Sequence, residues 1–128
     1  MKRILVCGSR DYDNAPNVFR TLDRLHAKGE FMLIQGGASG ADRLARDWAE
    51  QGTHPFATVP AHWDKLSRKA GPIRNTWMLG LEPHMAIAFP GGRGTADMIN
   101  KALAAGIETY GVDDSGEITR LRLGETHP

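Results

Sequence analysis

Four short glycine-bearing segments carry the chemistry that this sequence offers most clearly. They occupy residues 8–10, 36–42, 71–75 and 90–95. Three of them directly follow a run of apolar residues, whereas the segment 71–75 lies in a longer polar stretch. Glycines let the backbone approach a ligand closely, and a helix that begins beside them directs free N–H groups towards an anion. The pattern predicts a pocket for a phosphate-bearing small molecule.

The sharpest of these signals is the segment 90–95, which has three glycines within four residues. Backbone N–H groups from Gly92 to Ala96 can cradle a phosphate, and Arg93 can add a charge-assisted contact. Thr95 is expected to cap the helix that follows. A tight strand–helix turn without a ligand is the alternative, although such a turn needs one glycine rather than three.

The segment 36–42 is a second candidate phosphate loop. It lacks the lysine of a P-loop and does not match G-x-G-x-x-G, so hydrolysis of a nucleoside triphosphate is not supported. Asp42 falls in the first turn of the next predicted helix, where two roles remain open. Its carboxylate can complement the helix dipole, or it can accept a hydrogen bond from a ribose hydroxyl.

Three further features complete the predicted pocket. Ser9 and Arg10 lie at the tip of the first predicted strand, near the centre of the site. Residues 69–75 supply cations and an amide that can clamp a phosphate or a base edge, or else form a solvated loop. Trp63 can stack on a base or lie in the core, whereas Cys7 is interpreted as a buried strand residue rather than a nucleophile.

These interpretations define a candidate site. The predicted ligand-binding residues are Gly8, Ser9, Arg10, Gly36, Gly37, Ala38, Gly40, Ala41, Asp42, Trp63, Lys69, Gly71, Arg74, Asn75, Pro90, Gly91, Gly92, Arg93, Gly94 and Thr95. The candidate catalytic residues are Asp97 and Asp42. The histidines, at positions 26, 54, 62, 84 and 127, lack the spacing of metal ligands, so we expect neither a metal site nor a cofactor.

The composition is that of a globular protein. The chain has 128 residues, of which 41% are hydrophobic and 24% charged, and this size predicts one domain over residues 1–128. The formal net charge of +1 does not favour a nucleic-acid partner. A single cysteine, the lack of a signal peptide and the lack of a membrane-length apolar run predict a cytoplasmic protein without a membrane partner. The small size also predicts a homo-oligomer, either a dimer or a tetramer.

Alternating strands and helices must position these segments. Strands are predicted over residues 4–7, 31–34, 56–59, 85–89 and 109–112, and helices over residues 14–29, 41–52, 73–79 and 95–105. Residues 61–75 are expected to form mainly a loop, and the tail from residue 113 carries no clear signal. The alternation predicts an α/β three-layer sandwich with a central, mostly parallel sheet of about five strands. Ligands of such sheets bind beyond the carboxyl ends of the strands, where the glycine turns lie.

The segments, taken in order, resemble those of a known family. They read Gly-Ser-Arg, Gly-Gly-Ala-Ser-Gly-Ala-Asp, Ala-Gly-Pro-Ile-Arg-Asn and Pro-Gly-Gly-Arg-Gly-Thr-Ala-Asp. This order resembles the YspA-type, cpYpsA-related branch of the SLOG superfamily, and the resemblance runs from about Ile4 to Val112. It implies a compact Rossmann-like fold that senses or sequesters a nucleotide-derived ligand related to NAD or ADP-ribose.

The same superfamily includes the LOG-type phosphoribohydrolases, which cleave the N-glycosidic bond of a nucleoside monophosphate. Their motif Pro-Gly-Gly-x-Gly-Thr-x-x-Glu ends in a glutamate that assists this reaction. The matching residue here is Met98, which falls in an apolar set with Ala102 and Ala105. The nearest carboxylate, Asp97, is turned by about 100° around the helix. The resemblance thus implies phosphate binding without the expected acid, and hydrolysis assisted by Asp97 or Asp42 is the alternative function.

Overall fold

The computed structural model describes residues 1–124, except for the side chain of Asp64, and strands and helices alternate along this part of the chain. The strands are β1 (Lys2–Cys7), β2 (Phe31–Gln35), β3 (Phe56–Thr58), β4 (Met85–Ala88), β5 (Glu108–Val112) and β6 (Ile118–Leu121). The helices are α1 (Ala15–His26), α2 (Ala41–Gln51), α3 (Trp63–Leu66), α4 (Ala70–Leu79) and α5 (Arg93–Ala104), with a 3₁₀ turn at Ser67–Lys69.

The strands form one sheet in the order β3-β2-β1-β4-β5-β6. Neighbours from β3 to β5 pair in parallel, and β6 pairs with β5 in the antiparallel direction. The chain moves outward from β1 to β2 and β3, and then returns to the other side of β1 to form β4. The strand order therefore reverses between β1 and β4, and such a switch point opens a crevice at the carboxyl ends of the strands. The predicted α/β fold with a mostly parallel, Rossmann-like sheet is confirmed.

The core lies on both faces of the sheet because successive side chains of a strand point to opposite sides. Ile4 and Val6 of β1 pack among residues of α1 and α2 on one face. Leu5 and Cys7 of the same strand pack among residues of α4 and α5 on the other face. The continuous apolar run of β1 follows from this position, since a central parallel strand is covered on both sides.

Residues 61–75 are more regular than the loop that we expected. They contain α3, the 3₁₀ turn and the first half of α4, which begins at Ala70 rather than at Ile73. Pro72 is compatible with this start because the N–H groups of the first helical turn have no partner within the helix. The buried positions of α4 include Gly71 and Asn75, so its inner face lacks the apolar period that would reveal a helix.

Two smaller predictions about element ends also differ from the structure. Thr95 lies inside α5, and Gly92 is the N-cap residue, without a side-chain capping bond. Ala105 is exposed at the end of this helix rather than packed with Met98.

The strand β6 lies in the tail that carried no signal, because every one of its residues is exposed or only half-buried.

Candidate ligand-binding site

A cavity of about 480 Å³ lies at the carboxyl ends of the central strands. It brings together residues from all four glycine-bearing segments. The predicted residues that line it are Gly8, Ser9, Arg10, Ala38, Asp42, Trp63, Gly71, Arg74, Asn75, Gly92, Arg93, Gly94, Thr95 and Asp97. The cavity therefore occupies the crevice at the switch point, where a parallel sheet offers its ligand site.

Other predicted residues do not line this cavity. They are Gly36, Gly37, Gly40, Ala41, Lys69, Pro90 and Gly91. Several of them hold the lining residues in place. Gly40 has a φ of +77°, and a side chain there would overlap the carbonyl group of Ser9. The N–H of Ala41 donates to that same carbonyl over 3.1 Å, so the second glycine segment fixes the loop that follows β1.

Asp42 is buried and binds the backbone of its own segment. Its Oδ2 accepts hydrogen bonds from the N–H groups of Gly36 and Ala38, each over 3.2 Å. The N–H of Gly37 donates to Oε1 of Gln35 over 2.6 Å. Three amides of this loop are thus directed into the protein, which leaves the loop less suited to hold a phosphate than the segment 90–95.

The chemistry of Asp42 is altered by its surroundings. Burial raises the pKa of its carboxyl to about 6, although the two backbone hydrogen bonds and the nearby Arg74 oppose this rise. The carboxyl therefore titrates close to neutral pH at the edge of the cavity. Cys7, at the cavity floor, has a pKa raised far above its ordinary value by burial and by the charge of Asp42. Its sulfur thus remains a thiol, which is a poor nucleophile.

A chain of polar groups crosses the floor of the cavity from α4 to α5. Arg74 donates from Nη1 to the carbonyl of Gly36 over 2.8 Å and from Nε to Oδ1 of Asn75 over 3.2 Å. The Nδ2 of Asn75 donates to Oδ2 of Asp97 over 2.9 Å and to the carbonyl of Gly94 over 3.2 Å. The same oxygen of Asp97 lies 3.0 Å from Nζ of Lys101. Asn75 thus bonds protein atoms at both ends of its amide, and Asp97 is held on two sides.

The first turn of α5 presents open backbone to the cavity. Arg93 and Gly94 are its first two residues, so their N–H groups have no acceptor within the helix. A methyl group at Gly94 would have no protein atom outside its own helix turn within 4 Å. Thr95 is buried against Gly91, where a side chain on the glycine would collide with the threonine hydroxyl. These features leave a concave, donor-rich surface for an anion.

Trp63 and Arg10 form the rim of the cavity. The guanidinium carbon of Arg10 lies 4.6 Å from the centre of the Trp63 ring, within the range of a cation–π contact. Trp63 is 44% exposed, so it is not the core residue that the alternative interpretation expected. Its ring packs against Gly71, where a Cβ atom would lie 3.1 Å from the ring.

Sequence reasoning missed some residues that line the cavity. They are Cys7, Asp11, Arg68, Pro72 and Met78. Cys7 had a signal, because it directly precedes the first glycine segment at the end of a strand. Arg68 lies beside the predicted Lys69, and the turn of the 3₁₀ helix decides which of these two cations borders the cavity. Met78 had no signal, since an apolar helical residue is ordinarily part of the core.

The position that carries glutamate in LOG-type motifs is occupied by a core side chain. Met98 is buried among Leu5, Cys7 and Met78 on the face of the sheet that α4 and α5 cover. Asp97, one residue earlier, borders the cavity instead. A carboxylate is therefore present near the phosphate turn, but it projects from a different side of the helix.

The fold and the cavity together define a Rossmann-like α/β protein, a class consistent with binding of a nucleotide-related ligand. Residues 2–66 match the model of the YspA, cpYpsA-related SLOG family. The Gene 61 protein of Mycobacterium phage D29 is 34% identical over 126 residues, which cover 89% of this chain and 98% of the phage protein. The chain belongs to the YspA, cpYpsA-related SLOG family.

Solved structures share the fold at low sequence identity. The protein TM1055 superposes with a TM-score of 0.71 and 19% identity, over 85% of this chain and 72% of its own length. DNA processing protein A (DprA) from Streptococcus pneumoniae superposes with a TM-score of 0.72 and 19% identity, over 88% of this chain. This chain spans 50% of the length of DprA.

In the described part of the chain, no helix is long and apolar enough to cross a membrane. Among these described residues, no group of three or more His, Cys, Asp or Glu side chains is arranged to hold a metal ion. His127, named above with the other histidines, lies outside the described residues.

Proposed function

We propose that this protein binds a phosphorylated, nucleotide-derived small molecule in the cavity at the carboxyl ends of the strands. ADP-ribose and NAD-related molecules are the ligand class that the family membership favours. The observation that carries the proposal is that open helix backbone and several cations border one cavity. The cations are the guanidinium groups of Arg10, Arg68, Arg74 and Arg93.

The residues have distinct roles in this proposal. The first turn of α5, with the N–H groups of Arg93 and Gly94, receives a phosphate. Arg68 and Arg93 add charge-assisted hydrogen bonds, for which guanidinium is well shaped. Trp63 offers a ring face for a base at the rim, and Asp42 offers its second carboxyl oxygen to a ribose hydroxyl. Asn75 positions Asp97 and the α5 turn rather than contacting the ligand.

Calorimetry on the intact chain tests the proposal. AMP, ADP-ribose, NAD and cyclic ADP-ribose are titrated into the wild type, and binding of at least one of them is expected. Arg68→Ala should weaken that binding by about tenfold, since a hydrogen bond to a charged group contributes about 1.5 kcal/mol. Arg43→Ala is the matched control, because Arg43 is an exposed residue of α2 outside the cavity. The absence of binding to all four compounds by folded protein would refute the proposal.

Hydrolysis of an N-glycosidic bond is the second candidate function. The observation in its favour is a carboxyl group at the cavity whose pKa, about 6, suits general acid–base chemistry near neutral pH. Asp97 is a second carboxylate there, held by Asn75 and Lys101. This function predicts release of free base from a bound nucleotide and loss of release in Asp42→Asn or Asp97→Asn. Binding without release would leave the first proposal standing alone.

A further inference from the structure

A groove of about 670 Å³ lies between the outer side of α5 and the hairpin formed by β5 and β6. It shares Gly92 and Thr95 with the first cavity. The two spaces therefore border the same structure, the first turn of α5, where the proposed function places a phosphate. A phosphate held there would have room on both sides.

The groove has an apolar floor and a polar rim. Phe89 and Val112 are buried beneath it, and Ile99 lies along its α5 wall. Asp113 and Glu117 are exposed at its edge. Oδ1 of Asp113 already accepts from the N–H and hydroxyl of Ser115 and from the N–H of Glu117, which leaves its Oδ2 and the Glu117 carboxylate as acceptors for a ligand. An apolar floor beside carboxylate acceptors suits the ring and the hydroxyl groups of a sugar.

The charges of the two spaces differ in sign. Four arginines and three aspartates border the first cavity, which leaves one formal positive charge, whereas Asp113, Glu117 and Arg120 border the groove and leave one negative charge. Hydrogen bonds from Ser115 and from the backbone of Glu117 hold the pKa of Asp113 below its ordinary value. Asp113 is therefore charged at neutral pH, and a second anionic group would be repelled from the groove.

We propose that the groove holds a neutral, hydroxyl-bearing arm of the same ligand. The ligand is then a nucleoside diphosphate sugar, with its base in the first cavity, its phosphates at the first turn of α5 and its terminal sugar in the groove. This inference rests on the proposed function, since it requires a phosphate at that turn.

The test compares ADP with ADP-ribose, which adds a terminal ribose and carries less negative charge on its β-phosphate. Titration calorimetry on the wild type should give a dissociation constant for ADP-ribose at least about tenfold lower than that for ADP. Asn100→Trp fills the groove from an exposed position of α5 and should remove this preference, leaving the affinity for ADP within about twofold. Ala104→Trp is the control, because Ala104 is exposed on the same helix outside both spaces.

A second variant tests the rim chemistry. Glu117→Gln keeps the shape of the side chain and removes its charge. The affinity for ADP-ribose should fall by about threefold or more, while the affinity for ADP should not change. Equal affinity of the wild type for ADP and ADP-ribose would overturn the inference while the proposed function stands. The inference would also be overturned if folded Asn100→Trp still bound ADP-ribose more tightly than ADP, or if this variant lost affinity for both ligands equally. If the wild type binds neither compound nor the other nucleotides, the proposed function itself fails.

Discussion

The carboxyl group of Asp42 both holds the loop 36–42 by hydrogen bonds and borders the cavity. One oxygen accepts from the N–H groups of Gly36 and Ala38, and the residue also borders the cavity. Because the group is buried, ionising it is costly in spite of these hydrogen bonds, and its pKa rises to about 6. The fold is therefore less stable with Asp42 charged than it would be with a neutral side chain that makes the same bonds.

This shift predicts a dependence of stability on pH. A carboxyl whose pKa is raised on folding stabilises the fold below its unfolded pKa and loses that contribution as pH rises through the folded value. Between pH 4 and pH 7, Asp42 should remove roughly 2 kcal/mol from the free energy of unfolding. Asn can keep both backbone hydrogen bonds, so the stability of Asp42→Asn relative to wild type should increase over this range.

Urea denaturation at several pH values measures this effect. Asp47→Asn, on the same helix but outside the cavity, is the control and should follow the wild-type profile. A constant difference between Asp42→Asn and wild type from pH 4 to pH 7 would contradict the raised pKa.

At the scale of elements, the first turn of α5 is the structure on which both binding proposals depend. The strand β4 ends beside β1, where the N–H of Ser9 donates to the carbonyl of Pro90 over 2.9 Å. This bond joins the first and last glycine segments and fixes where α5 begins. The turn is therefore held by this backbone bond as well as by Asn75, whose amide donates to the carbonyl of Gly94.

Gly94→Ala tests the role of this turn. The substitution should leave the fold intact and raise its stability by up to about 1 kcal/mol, because alanine favours a helix over glycine and the space is open. The added methyl group obstructs close approach of a phosphate, so the affinity for the nucleotide ligand should fall by about tenfold. Ala104→Leu, at an exposed site on the same helix, should leave affinity unchanged. Wild-type affinity in Gly94→Ala would remove the turn from the proposed site.

At the scale of the whole molecule, we propose that the chain forms a homo-oligomer. Trp77 and Leu81, at the end of α4 and just beyond it, are 44% and 38% exposed. Large apolar side chains exposed near one another are a common feature of association surfaces. A small chain also buries a smaller fraction of its surface on folding than a large one, so association would bury further apolar area.

Analytical ultracentrifugation tests this prediction by measuring the mass of the protein in solution. Wild-type protein should have the mass of two or four chains, and Trp77→Glu should shift it towards one chain. Lys28→Glu, at an exposed position after α1, introduces the same side chain without altering an apolar surface and is the control. A mass of one chain for the wild type would refute the prediction.

Much of the layered architecture could be predicted from the chain. The strands β1, β2 and β4 are apolar runs because both faces of a parallel sheet are covered. The helix α2 shows a clear apolar period that ends at Gly52. Prediction failed where burial does not produce such patterns. The edge strand β6 is largely exposed and gave no recognisable signal. The inner face of α4 carries Gly71 and Asn75, so the helix was predicted only from Ile73 onward and its first residues were missed.

The sequence by itself determined the order of the elements, the places where each strand must end in a turn, and the resemblance to a SLOG family. These are local properties, set by apolar periodicity and by residues with special backbone preferences. Only the tertiary structure decided which groups face the cavity. Asp42 and Asn75 proved to be bonded to protein atoms, Arg68 rather than Lys69 borders the cavity, and a groove beside α5 adjoins it. The physical reason is that packing and hydrogen bonding between distant segments orient a side chain, and spacing along the chain does not encode them.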